Sequence, residues 1–215
     1  MSDDPREQIR RTGAVAILRL TDHSHTLDVA RALADAGLDV IEVTLDHPAA
    51  LDALRAMADA LPDHVLLGAG TVRRPDQVTS AAAAGARFCV SPNVDAAVIR
   101  ASLADGLEPL PGACTATEVA AALDAGARML KLFPAGPLGP GYLRALLGPF
   151  RDVELVPTGG IAHDAVAPWM AAGAVAVGLG SDLVGPQPAA DDIDEIARRA
   201  RRVVAQVAGA RAGVR

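Results

Sequence analysis

Short apolar runs alternate with longer, Ala-rich amphipathic segments from one end of the chain to the other. The runs at 15–18, 40–45, 65–67, 88–90, 107–110, 129–133, 154–157 and 175–177 are strand-sized. They are nearly continuous in apolar residues rather than alternating, as parallel strands covered on both faces are. Between them the 3.6-residue period predicts helices at 27–36, 49–60, 75–84, 94–104, 116–125, 142–147 and 164–172, with a last one near 193–207. Several stop where alanine meets glycine, at Gly37, Gly85, Gly126 and Gly173, and glycine there supplies a left-handed C-terminal cap. Eight strand–helix units in 215 residues predict an α/β fold, a single-domain (β/α)8 TIM barrel over 1–215. An additional N-terminal helix near 4–11 is expected to cover its bottom. An open doubly wound sheet is the alternative, because closure is not written in periodicity.

Composition narrows the class. The apolar share of 51% with 21% charged residues is that of a globular protein with a sizeable core. Aromatics are 2%, so Ala, Val, Leu and Ile must build that core. No apolar run is long enough for a membrane span, and the charged start MSDDPREQIRRTG does not read as a secretory leader, so a cytoplasmic protein is expected. A net charge of −6 argues against nucleic acid as a partner. In the last helix Asp191, Asp192, Asp194 and Glu195 precede Arg198, Arg199, Arg201 and Arg202, an order that suits the helix dipole and a solvated face. Cys89 and Cys114 read as reduced core thiols, and the five histidines lack metal-ligand spacing. His47 and His163, each after a strand end, are expected to be solvent-exposed.

Candidate chemistry lies at the strand ends, where TIM barrels carry their sites. Strand 1 ends at Arg19, strand 2 carries Glu42 and Thr44, and strand 3 ends in GAGT with Thr71. Strand 6 contains Lys131, strand 7 ends in Thr158, Gly159 and Gly160, and strand 8 in Gly178 to Ser181. Of the 20 basic residues, Lys131 is the only lysine. Lysine can lose its proton and act as a nucleophile, whereas arginine effectively cannot. A charged ammonium in the apolar strand MLKLF is costly, so burial favours the nucleophilic amine. Glu42, among Val40, Ile41 and Val43, suits a general acid/base. The bland alternative for both is one structural ion pair between them. Arg19 and Thr71 could hold a carboxylate, the arginine by its planar fork. Two Gly-rich loops after strands 7 and 8 stand where such barrels bind phosphate, and Asp182 just beyond is expected to point away from the anion.

In the order AILR, EVTL, GAGTV, SPN, PGACTATE, KLFP, PTGG and GLGS, over about residues 10–205, the chain resembles the 2-keto-3-deoxy-6-phosphogluconate and 4-hydroxy-2-oxoglutarate aldolases. It is also similar to the related 2-keto-3-deoxy-6-phosphogalactonate aldolases. The resemblance implies a class I pyruvate aldolase without metal or other cofactor, assembled as a homotrimer. It implies Lys131 as Schiff-base lysine, Glu42 as acid/base, and Arg19 and Thr71 at the pyruvate carboxylate, with Phe133 beside the lysine. Thr158, Gly159, Gly160, Gly180 and Ser181 fall at the rest of the substrate, the last three at its phosphate. Asp46 departs from the pattern, since many phosphogluconate members have arginine there. That departure and the GLGSDL segment look like the galactonate branch, while Thr158 in PTGG looks like the gluconate branch. Two other classes are open: a metal-dependent pyruvate aldolase, which needs clustered carboxylate or histidine ligands, and a non-catalytic phosphosugar-binding barrel, which needs no reactive lysine.

Overall fold

A computed structural model describes residues 4–213. Behind the continuous apolar strand runs lies a strict two-residue alternation. Val15 and Ile17, Val40, Leu66, Phe88 and Val90, Leu110, Met129, Val156 and Ala176 gather in one inner cluster. The residues between them, such as Ala14, Ala16 and Leu18 or Leu130 and Leu132, pack outward against the helices. Successive side chains of a strand point to opposite faces, so a sheet that is apolar on both faces must be covered on both.

The elements run α1 (Pro5–Thr12), β1 (Ala14–Leu18), α2 (Thr26–Asp35), β2 (Val40–Thr44), α3 (Ala50–Ala60), β3 (Leu66–Gly70), α4 (Pro75–Ala83), β4 (Phe88–Val90) and α5 (Ala96–Ala104). There follow β5 (Glu108–Leu110), β6 (Gly112–Ala113), α6 (Ala116–Asp124), β7 (Met129–Leu132), α7 (Gly139–Leu147), β8 (Glu154–Pro157), α8 (Ala167–Ala171), β9 (Val177–Leu179), α9 (Ser181–Val184) and α10 (Ile193–Ala212). All pairings are parallel. The result is an α/β fold with a curled parallel sheet in two arcs, one ordered β5-β4-β3-β2-β1-β9 and one β6-β7-β8. Thr158, next after β8, bridges Gly178 in β9.

The N-terminal helix closes one end of the inner cluster. Asp4 caps it by accepting from the Arg6 amide, and Ile9, fully buried, joins the strand interior. Arg10 Nε donates to Glu154 at the start of β8 at 2.7 Å, and Gln8 Nε2 donates to the His64 carbonyl at 2.6 Å. The cap glycines behave as expected, with left-handed φ at Gly37, Gly85, Gly126 and Gly173. No helix of the described residues is long and apolar enough to cross a membrane.

Several boundaries differ from those the apolar pattern predicts. The third strand extends to Gly70 rather than ending at 67, and the last occupies Val177–Leu179 rather than 175–177. Glycine is a poor strand former by propensity. Here its missing side chain makes room, because a Cβ on Gly68 would lie 2.4 Å from the Phe88 ring, one on Gly70 1.8 Å from Glu42 Oε1, and one on Gly178 2.3 Å from Thr158 Oγ1. The fifth run forms β5, a further short strand, β6, follows it after Pro111, α8 is shorter than 164–172, and α10 runs on past 207. Cys89 is buried, whereas Cys114 is only half-buried, in the loop leading to α6.

Candidate active site

The inner alternation carries polar residues to the C-terminal ends of the strands. Arg19 continues Val15 and Ile17, Glu42 follows Val40, Lys131 and Phe133 follow Met129, and Thr158 follows Val156. A cavity of ≈ 460 Å³ opens there. Its walls include Arg19, Lys131, Phe133, Thr158, Gly159, Gly160, Gly180 and Ser181. Eight of the ten residues given a catalytic or substrate-binding role in the sequence therefore line one space. Glu42 and Thr71 do not line it but are coupled to residues that do.

Lys131 is 7% exposed, and its Nζ lies 5.0 Å from the centroid of the Phe133 ring, which is itself 38% exposed. Glu42 is 1% exposed, and its Oε1 is buried with no hydrogen-bond partner. Gly70 leaves the space in which that carboxyl sits. Burial pushes the Glu42 carboxyl above the usual carboxylate range, the charges of Lys131 and Arg19 pull the other way, and Asp46 adds to the rise. Among the described residues no ion pair joins Lys131 to Glu42, so the structural-pair alternative is not the arrangement formed. An unpaired buried carboxyl costs free energy, and such costs concentrate where chemistry is done.

Arg19 Nη2 donates to Thr71 Oγ1 at 2.9 Å, and its Nη1 pairs with Asp46. Thr71 holds a left-handed φ of 58°, unusual for a β-branched residue. A strained backbone at the end of β3, tied by hydrogen bond to a cavity arginine, is a mark of a built site rather than of an ordinary turn. Thr158 is buried and its hydroxyl donates to the Val156 carbonyl at 3.1 Å, leaving the oxygen's lone pairs for a ligand.

Asp182 stands in the first turn of α9, as expected of a helix-start residue; it is among the cavity's lining residues, and its Oδ2 accepts from the His163 backbone N–H at 2.5 Å and lies 2.6 Å from the His163 ring Nδ1. Burial pushes the Asp182 carboxyl up, but the bonds from His163 outweigh this and hold it below the usual range. His163 and His47 are half-buried rather than exposed, the first because it serves Asp182, the second because its ring packs 5.1 Å from that of His23. Glu118 of the PGACTATE segment is a helix cap, its carboxylate accepting from the amides of Cys114 and Thr115, and takes no part in the cavity. Sequence reading missed the Asp46–Arg19 and Asp182–His163 pairs. Neither has a local signal, since each joins residues brought together only by neighbouring strands. Among the described residues no group of three or more His, Cys, Asp or Glu is arranged to hold a metal ion.

The sequence matches the family model described as KDPG and KHG aldolase over residues 6–199. It is 38% identical over 170 residues to the 2-dehydro-3-deoxy-6-phosphogalactonate aldolase of Escherichia coli (strain K12), covering 79% of this chain and 83% of that one. It is 36% identical over 203 residues to the 2-dehydro-3-deoxy-phosphogluconate aldolase of Dickeya dadantii (strain 3937), covering 93% and 94%. Among solved structures, it is similar to the KDPG aldolase of Legionella pneumophila with pyruvate captured as a covalent carbinolamine intermediate, at a TM-score of 0.80 and 29% identity, over 96% of this chain and 98% of that one.

Proposed function

The chain belongs to the KDPG and KHG aldolase family, and from that premise we propose that it is a class I aldolase that forms a Schiff base between Lys131 and pyruvate. It is a carbon–carbon lyase, as its relatives are. The observation that carries the proposal is the pairing of roles around the cavity: a lone, nearly buried lysine opening on it, and a fully buried, unpartnered carboxyl within electrostatic reach. Neither is consumed by a structural contact, so both are available for chemistry. We read the two arcs of sheet as one (β/α)8 barrel in a single domain, with β6 continuing β5 past Pro111 and the Thr158–Gly178 bridge joining the other edge.

The substrate we assign is 2-keto-3-deoxy-6-phosphogluconate, cleaved reversibly to pyruvate and glyceraldehyde 3-phosphate. Arg19 and Thr71 take the carboxylate, and Gly160, Gly180 and Ser181 take the phosphate through backbone N–H groups and a hydroxyl. The amine of Lys131 attacks the C2 ketone, and Glu42 moves protons as the carbinolamine loses water. The iminium draws the C3–C4 bonding electrons when Glu42, through a water, removes the C4 hydroxyl proton. The aldehyde leaves, the enamine is reprotonated at C3, and water releases pyruvate and restores the lysine. The ring of Phe133 walls one side of the lysine and limits water there. No metal or other cofactor enters this sequence. Homotrimeric assembly and a cytoplasmic setting complete the proposal.

A second substrate reading has an observation behind it. The Escherichia coli relative acts, by its name, on the galactonate epimer, and the segment GLGSDL suits that branch. We place the gluconate epimer first because Thr158 offers the C4 oxygen a polar partner. Pyruvate and glyoxylate condensation to 4-hydroxy-2-oxoglutarate is the unphosphorylated alternative.

The test is borohydride reduction in the presence of pyruvate followed by peptide mass spectrometry. One reduced three-carbon adduct on Lys131 is expected, with Lys131→Arg folded but inactive in aldol cleavage. A fully active enzyme whose Lys131 peptide stays unmodified would sink the proposal. Cleavage abolished by EDTA would point instead to the metal-dependent class.

A further inference from the structure

Arg19 is a long side chain at the rim of the cavity, and its side chain is 54% exposed. A guanidinium so placed has many rotamers to lose before it can present a planar fork to a carboxylate. Two partners restrict it. Asp46, in the loop after β2, pairs with Nη1, and Thr71, at the end of β3, accepts from Nη2 at 2.9 Å. Asp46 is held in turn by Thr44, the last residue of β2 and itself buried, whose hydroxyl donates to Asp46 Oδ1 at 2.7 Å. Rigid strand, hydroxyl, carboxylate and guanidinium thus form one chain of contacts, with each carboxylate oxygen of Asp46 engaged on a different partner.

We propose that Asp46 is the positioning residue for Arg19, fixing its guanidinium so that the N–H groups not spent on Asp46 and Thr71 meet the substrate carboxylate in the cavity. The proposal rests on the reading, given above, that Arg19 binds that carboxylate. Orientation outweighs charge in this arrangement. An acid beside the arginine offsets part of its attraction for an anion, and if that were its main effect, removing Asp46 would tighten binding. Holding the fork in place acts in the opposite direction, and a fork held on two sides loses little entropy when substrate arrives. Asp46 also contributes to the raised Glu42 carboxyl, so its loss carries a second signature in the pH profile.

The experiment measures the pyruvate concentration that half-saturates condensation with a fixed aldehyde, and the rate at saturation, in Asp46→Ala, Asp46→Asn, Arg19→Ala and the Arg19→Ala/Asp46→Ala double variant. Asp46→Ala is expected to raise the half-saturating concentration about tenfold, with the saturated rate within about twofold of wild type. Asp46→Asn keeps one oxygen to accept from Arg19, while its amide N–H can donate to the Thr44 hydroxyl, which has the Leu18 carbonyl as another acceptor, and is expected within about threefold of wild type. In the Arg19→Ala background the Asp46→Ala change should have no further effect. Binding by Asp46→Ala as tight as wild type or tighter, an Asn variant as weak as the Ala variant, or an effect that persists without Arg19 would each overturn the proposal. An Arg19→Ala variant with unchanged half-saturation would remove the carboxylate role on which the proposal rests, and the proposal with it. Failure of wild type to be trapped by pyruvate at all is a different result, and strikes the Schiff-base reading itself.

Discussion

Gly70→Ala tests the site without touching any residue assigned a chemical role. A Cβ at position 70 would stand 1.8 Å from Glu42 Oε1, 2.5 Å from its Cδ and 2.7 Å from its Cγ. Ordinary contact begins near 3.4 Å, so the carboxyl must move by about 1.6 Å. Gly70 lies in β3 with no left-handed φ, so alanine brings no backbone strain of its own. The displaced group is the end of a side chain beside a cavity, so the fold should survive with a modest loss of stability. Catalysis should not, since a misplacement of about 1 Å can cost on the order of 10²-fold. Glu42→Gln sets the ceiling, because loss of a general acid/base typically costs about 10²–10⁴-fold. The expected result is a fall in kcat for aldol cleavage of about 10²-fold, with thermal melting retained and pyruvate still trapped on Lys131 by borohydride. Gly70→Ala activity within about threefold of wild type would refute the reasoning, for it would mean that the carboxyl position at the end of β2 is immaterial to turnover.

Two further outcomes follow from other parts of the molecule. Thr158→Val keeps volume and removes the hydroxyl, a hydrogen bond worth roughly 0.5–1.5 kcal/mol or about 2- to 13-fold, so a preference for the gluconate over the galactonate epimer should shrink or reverse; an unchanged ratio in paired assays would show that Thr158 does not read C4. At the far end of the strands, burial pushes the Glu108 carboxyl up to about 6, from an ordinary value of 4.5. A carboxyl raised on folding is harmless while protonated and destabilises once ionised, so its cost grows from about pH 4.5 and is complete above about pH 6. Glu108→Gln should therefore melt higher than wild type at pH 7, by about 1 kcal/mol once partial exposure is allowed for, and match it at pH 4; equal melting at both values would contradict this.

Much of the fold was legible because its signals are local. Apolar runs, helical periods and cap glycines such as Gly37 and Gly126 act within a few residues of themselves, so the order of elements could be read along the chain. Lys131 stood out for a chemical reason, as the only lysine in an apolar strand, and Glu42 for the same kind of misfit. The convergence of Lys131 with Arg19, Phe133, Thr158 and the two Gly-rich loops on one cavity, with Glu42 behind it, followed from strand parity and from the rule that chemistry collects at strand ends.

What tertiary structure alone decided is everything set by a neighbour distant in sequence. Gly68, Gly70 and Gly178 lie at strand ends as read, but why glycine stands there is tertiary: Phe88, Glu42 and Thr158 occupy the room their side chains would need. Asp182 reads as a solvated helix start and is one, but its carboxylate is also bound to His163 from the preceding loop, a partner no local pattern announces. Asp46 reads as a departure from a pattern and proves to grip Arg19, two strands meeting at one ion pair. Periodicity reports which face a residue takes, since that depends on the backbone it belongs to. It cannot report what stands opposite, since that depends on how strands far apart in sequence come to lie side by side.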